Sequence, residues 1–218
     1  MARTEARETK DYFNVLADGK FHINVPEGTE GAVTREYKVR GKDGAEDTIG
    51  TKIEKVYESL SGKILSVELY EGDYGKNIIL NMEDEDGTFA ASFGCSTNFG
   101  EDVLKKILNV DIEKDVELVP FSFLGKNGKN VRGVNIYQGG AREDANKVFS
   151  YFHDYNPDTK ETTIKNGYPK APVAKKGKTI SSDEWKLYYA TARLFMIEKV
   201  EEKFPQEEKE ESDAVKNF

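Results

Sequence analysis

Between Leu118 and Arg142 the chain carries no acid, and this window holds Lys126, Lys129, Arg132 and Arg142. Phe121, Phe123 and Tyr137 are interleaved with these bases. Rings beside cations suit an unpaired nucleic-acid strand, because bases stack on aromatic faces and positive groups follow the phosphates. Stacking contributes about 1–3 kcal/mol per base whatever the base, so such a surface binds without reading sequence. A second acid-free window, Thr162 to Ser182, holds Lys165, Lys170, Lys175, Lys176 and Lys178. A solvated loop is the plainer use of those lysines.

Other chemistries find less support. Glu83, Asp84, Glu85 and Asp86 could hold a divalent cation, as in a nuclease, but they precede Gly87 where a hairpin turn is expected. His22 and His153 are the only histidines and Cys95 the only cysteine, which leaves little for a metal cluster or a Cys–His pair. Cys95 alone cannot form an intrachain disulfide, so a reducing cytoplasm is expected, with Cys95 a buried filler. Gly72-Asp73-Tyr74-Gly75 and Gly125-Lys126-Asn127-Gly128 lack the Gly-Lys-Ser/Thr ending of a phosphate loop. No catalytic residue, metal or cofactor is therefore expected, and the protein is read as a non-enzyme. No apolar stretch is long enough to span a bilayer, and the N-terminus lacks a signal-peptide run.

The 218 residues carry a net charge of −8, which by itself argues against nucleic acid. Its distribution matters more than its sum. From Glu198 onward there are eight acids and four lysines. This run passes Pro205 and ends Ala214-Val215-Lys216-Asn217-Phe218. So acidic a stretch, with few apolar residues, cannot bury enough surface to fold. An unstructured tail over 205–218 is expected, with its final Phe as a hook for a partner protein.

The elements that must position the aromatic–basic window follow from periodicity. Residues 1–19 read as a polar N-terminal segment with one apolar knot, Tyr12-Phe13-Val15-Leu16. Phe21–Val25 and Val33–Arg40 alternate as strands of a β extension. Lys52–Tyr70 reads as one long strand bent at Ser61-Gly62. Lys76–Met82 and Thr88–Gly94 are the next two strands. A helix follows, acidic at its start (Glu101, Asp102) and basic at its end (Lys105, Lys106), as its dipole prefers. Asp115–Leu124 and Lys129–Gln138 form a hairpin around Asn127-Gly128. Val148–Tyr155 reads as a strand before the basic loop. A long helix over 181–204 opens with the capping box Ser181…Glu184 and stops at Pro205. Its stripe of Trp185, Tyr188, Tyr189, Ala192, Phe195, Met196 and Val200 suits core or homo-oligomer packing. Phe89, Phe121 and Phe123 are expected in the core, the commoner place for a phenylalanine, and Tyr70 and Tyr137, opposite the aliphatic faces of their strands, are the expected platforms.

Three strands, a helix and a two-strand hairpin, over roughly Ile49 to Gly140, resemble the OB-fold, a five-stranded Greek-key barrel with its helix between strands 3 and 4. The chain is thus expected to be mainly β. An OB-fold core with its extension and basic loop would occupy 20–180. With Glu207-Glu208-Lys209-Glu210-Glu211-Ser212-Asp213 and Phe218, it resembles the single-stranded DNA-binding proteins of tailed bacteriophages. The bacterial proteins are a looser match, because Ala214-Val215-Lys216-Asn217 stands where they place a small apolar residue and proline. The resemblance implies sequence-independent coating of single strands in DNA replication, recombination and repair, in a host cytoplasm if phage-encoded. In an OB-fold the 1–2 and 4–5 loops flank the binding face, which here points to Tyr70, Tyr74, Lys76, Lys126, Lys129, Arg132 and Tyr137. Glu210, Glu211, Asp213 and Phe218 would recruit replication proteins. A protein–protein adaptor on the same barrel, and a metal-dependent nuclease, are the alternatives.

Overall fold

The structure, a computed structural model, describes residues 10–39, 46–72, 75–174 and 177–205. It is mainly β, with one strongly curled sheet and a long C-terminal helix. Nine strands form this sheet: β1 (Asp11–Val15), β2 (Phe21–Asn24), β3 (Val33–Val39), β4 (Thr48–Tyr57), β5 (Leu60–Gly72), β6 (Gly75–Asp84), β7 (Gly87–Gly94), β8 (Asp115–Leu124) and β9 (Asn130–Gln138). Their order is β3-β4-β2-β1-β7-β6-β5-β8-β9. Only β1 and β7 pair in parallel within it.

The expected order of three strands, a helix and a hairpin is present as β5, β6, β7, then α1 (Asn98–Lys106), then β8 and β9. β5 is shared: Leu60 to Lys63 pair with β8, and Lys63 to Gly72 pair with β6. Ile64, Val67, Ile78, Leu80, Met82, Phe89, Ala91, Phe93, Val116, Leu118, Val134 and Ile136 fill the concave side. α1 covers one end of this core with Phe99, Val103 and Leu104, and Ile107 and Leu108 continue its apolar face.

Three expectations need correction. The stretch 52–70 is not one bent strand. It breaks at Glu58-Ser59 because β4 is hydrogen-bonded to β2 and β3, whereas β5 belongs to β6 and β8. The apolar knot near Tyr12 is not part of a polar leader. It is β1, which occupies the free edge of β7 and buries Phe13. The sheet therefore has nine strands, where five of a barrel and two of an extension were expected. Val148–Tyr155 is not a continuous strand either. Lys147 and Val148 lie along the outer edge of β9, with Val148 N–H donating to Ile136 O at 2.8 Å, and the backbone then turns to Asn109 and Lys105. Only β10 (His153–Asn156) is extended, and it pairs with β11 (Glu161–Ile164) in a separate two-stranded sheet.

The β1–β2 turn approaches the hairpin closely. A Cβ on Gly19 would lie 2.5 Å from the Ser122 backbone nitrogen, and Gly19 has φ +77°, so the turn requires glycine twice over. α2 (Ser182–Lys203) has the expected capping box and packs Ala192, Met196, Ile197 and Val200 against the body. Lys203 Nζ donates to the carbonyls of Leu108 and Val110 at 2.8 and 3.1 Å, tying its end to the turn after α1. No helix among the described residues is long and apolar enough to cross a membrane.

Candidate nucleic-acid interface

The β8–β9 hairpin overhangs the body. β8 alternates buried and half-buried positions up to Pro120, and then Phe123 and Leu124 are both exposed. The alternation ends there, and the tip residues of both strands stand in water. Register pairs Phe121 with Gly133, Phe123 with Val131, Val119 with Asn135 and Glu117 with Tyr137. Directly opposed residues of an antiparallel pair share a face. One face of the hairpin thus presents Phe123, Phe121, Asn135 and Tyr137 in succession.

Phe121 and Phe123 stack with centroids 5.9 Å apart and planes inclined by 29°. Phe123 is 56% exposed, so its expected place in the core is wrong; Phe121 is half-buried, and Phe89 is buried as expected. The absence of a side chain at Gly133 makes room for Phe121. A Cβ there would lie 2.7 Å from Phe121 Cζ and 2.5 Å from Asp102 Oδ2. Asp102 has its own task. Its Oδ2 accepts from Val134 N–H at 2.8 Å and from Lys106 Nζ at 2.7 Å, while Lys106 also donates to Val134 O at 2.7 Å. α1 therefore caps the open edge of β9, where unpaired backbone groups would otherwise invite another strand.

The cations divide into held and unpaired groups. Arg142 forms a two-pronged pair with Glu117 at 2.8 and 2.6 Å, which holds the Glu117 carboxyl below the usual carboxylate range. Lys126 and Lys129 are exposed in the turn, where Lys129 N–H donates to Asn127 Oδ1 at 3.1 Å and Gly128 takes φ +72°. Among the described residues neither lysine has an ion-pair partner. Arg132 is half-buried; its Nε donates to Ser122 Oγ at 3.3 Å, again with no acid partner among the described residues. Beside Phe121 and Arg132 a cleft of about 530 Å³ is also lined by Asn135, Lys105 and Lys147. Lys105 and Lys147 were not among the residues expected from sequence, because they lie outside the acid-free window.

The remaining expected residues are dispersed. Tyr70 is 59% exposed on β5, opposite Asn77. The β5–β6 turn and the β8–β9 turn leave β5 in opposite directions, since Leu60 pairs with Leu118 while Gly72 pairs with Gly75. Lys76 is half-buried and bound to Glu201 of α2 at 2.9 Å, so it fastens the helix. Tyr74, Glu210, Glu211, Asp213 and Phe218 lie outside the described residues. Lys126, Lys129, Arg132 and Tyr137 do share one hairpin.

The acid cluster stands apart. Asp84 Oδ1 accepts from the backbone of Asp86 and Gly87 at 2.9 and 3.1 Å, closing the β6–β7 turn. Glu83 to Asp86 line a cleft of about 890 Å³, together with Asp11 and Asp115. That cleft would repel a polyanion. Burial raises the Cys95 thiol to about 11, despite nearby Lys76 and Arg193. No protein-family model matches the chain, and neither a curated protein nor a solved structure matches it.

Proposed function

We propose that this protein binds single-stranded DNA without regard to sequence, on the exposed face of the β8–β9 hairpin, as a coat in replication, recombination and repair. The stacked pair Phe121–Phe123, on the hairpin whose turn carries Lys126 and Lys129 with no ion-pair partner among the described residues, carries this reading; Arg132 stands on the other face, opposite Ser122. The exposed part of such a ring is a face on which a base can stack. The order β5-β6-β7-α1-β8-β9 supports an OB-fold, in which the β8–β9 turn would be the 4–5 loop flanking the bound strand. The departures are the added strands and the occupation of the β7 edge by β1. Recruitment of replication proteins by Glu210, Glu211, Asp213 and Phe218 belongs to the same proposal.

Fluorescence anisotropy with labelled oligo-dT tests it. Binding at low salt should weaken steeply as salt rises, because released counterions drive association. Deleting 206–218 should tighten binding by removing a competing polyanion. No binding at low salt, even without those residues, would hand the protein to the adaptor reading. Exposed Leu187, Tyr189 and Leu194 on α2 favour that second reading.

A further inference from the structure

Phe149 is 62% exposed, the most of any aromatic ring for which exposure stands out among the described residues. Its backbone is nonetheless fixed from three sides. Val148 N–H donates to Ile136 O at 2.8 Å, Asn109 Nδ2 donates to Phe149 O at 3.0 Å, and Tyr151 N–H donates to Lys105 O at 2.6 Å. Val148 before it and Phe152 after it are buried. The ring is therefore presented to water by a rigid segment, not left on a loose loop.

Clefts of about 530 and 550 Å³ both include Phe149 and Lys147 in their walls. The first is the cleft beside Phe121 described above. Its acids are already neutralised: Glu101 accepts from Arg193 at 2.9 Å and Asp102 from Lys106 at 2.7 Å. Lys105, Lys147 and Arg132 have no ion-pair partner among the described residues. An anionic ligand with a flat apolar face matches this combination, and a protein helix does not call for the three cations. A duplex cannot offer a base face to the ring, whereas an unpaired strand can.

We propose that Phe149 is a second nucleobase-stacking platform, with Lys105 and Lys147 holding the adjoining phosphates. This rests on the single-strand reading of the hairpin. The strand leaves Phe121–Phe123 and crosses the outer edge of β9 to reach Phe149. Val131, opposite Phe123, and Ile136, bonded to Val148, are five residues apart on β9. At about 3.3 Å per residue they are roughly 16 Å apart, so the site spans several nucleotides. Amides of Asn98 and Asn135 line the path with donors and acceptors that tolerate any base edge.

The test uses the full chain with a twelve-residue oligo-dU carrying photoactivatable 5-bromouracil, and peptide mapping of the adducts. The Phe149→Leu and Lys147→Ala variants are measured by anisotropy on oligo-dT of the same length. Thermal melting confirms that each variant is folded; little change is expected, because most of the Phe149 ring is already in water. The proposal expects an adduct on the peptide containing Phe149 and at least about fivefold weaker binding by Phe149→Leu. Lys147→Ala should flatten the salt dependence. Tight binding with adducts confined to 121–137, and unchanged affinity in both variants, would overturn the platform while leaving the hairpin site intact. Phe149 would then be a surface for a protein partner. No oligonucleotide binding by the full chain or by the chain without 206–218 would overturn both proposals.

Discussion

Replacing Phe123 by alanine separates a binding ring from a packing ring. With 56% of the residue exposed, less than half of a full phenylalanine burial is at stake. Full burial is worth up to about 3 kcal/mol, so the loss here is about 1 kcal/mol. The stack on Phe121 adds roughly 0.5–1.5 kcal/mol. Stability should therefore fall by about 1.5–2.5 kcal/mol, which leaves a folded domain of ordinary stability. A base stacked on the ring is worth about 1–3 kcal/mol, and affinity for oligo-dT should drop roughly 5- to 150-fold. Anisotropy titrations at fixed low salt measure the second quantity, and chemical denaturation measures the first. A variant that unfolds more easily yet binds oligo-dT with unaltered Kd would refute the reasoning, because Phe123 would then be packing alone.

Charge, pH and reactivity give further checks. Lys126→Ala with Lys129→Ala should lower the slope of log affinity against log salt by about 1.4, near 0.7 for each lost phosphate contact, with little change in melting. Lys76→Ala should leave affinity unchanged and lower stability by no more than about 1 kcal/mol, since that lysine pairs with half-exposed Glu201. Buried Glu54 accepts from Arg35 Nε and Nη2 at 2.7 Å each and faces His22 Nδ1 at 3.0 Å. The Arg35 hydrogen bonds, helped by His22, hold its carboxyl below the ordinary value against the opposing effect of burial. This stabilisation is complete above the unfolded carboxylate pKa and is lost as pH falls through the lower folded one. Arg35→Ala should thus cost about 2 kcal/mol at neutral pH, and the difference from the parent should shrink in acid, as urea melts at a series of pH values would record. Cys95, buried with its thiol raised to about 11, should resist maleimide at pH 8 until the chain is unfolded.

Much of the architecture was readable because it depends on neighbours close in sequence. The Ser181–Glu184 capping box and Pro205 bounded α2, and Asp86-Gly87 and Asn127-Gly128 marked their turns. Glu101 in the first turn of α1 and Lys105 and Lys106 in its last announced that helix, which begins three residues earlier than the acids suggested. Period-2 apolar residues placed Ile78, Leu80 and Met82 on the core face of β6. The short β1 escaped notice because five residues carry little periodicity, and its partner β7 lies far along the chain. The break at Glu58-Ser59 was hidden for a similar reason, since β4 and β5 have continuous β-type sequence and differ only in their partners.

Chain order alone places an acid-free window with rings and cations on one hairpin, Lys126, Lys129, Arg132 and Tyr137 among them. Which of them face water without a prior engagement depends on how the sheet and α2 pack. A phenylalanine in a strand reads as core, but Phe123 lies on the face of β8 away from Val116, Leu118 and Pro120 and near the hairpin tip, so that ring is exposed. Lys76 and Arg142 look as available as any lysine or arginine until Glu201 and Glu117 are seen beside them. Phe149 carries no signal in its own neighbourhood, because its exposure and its rigidity come from Ile136, Asn109 and Lys105 across the fold. Exposure and pairing are properties of what lies nearby in space, and the chain order fixes those neighbours only once the sheet has curled.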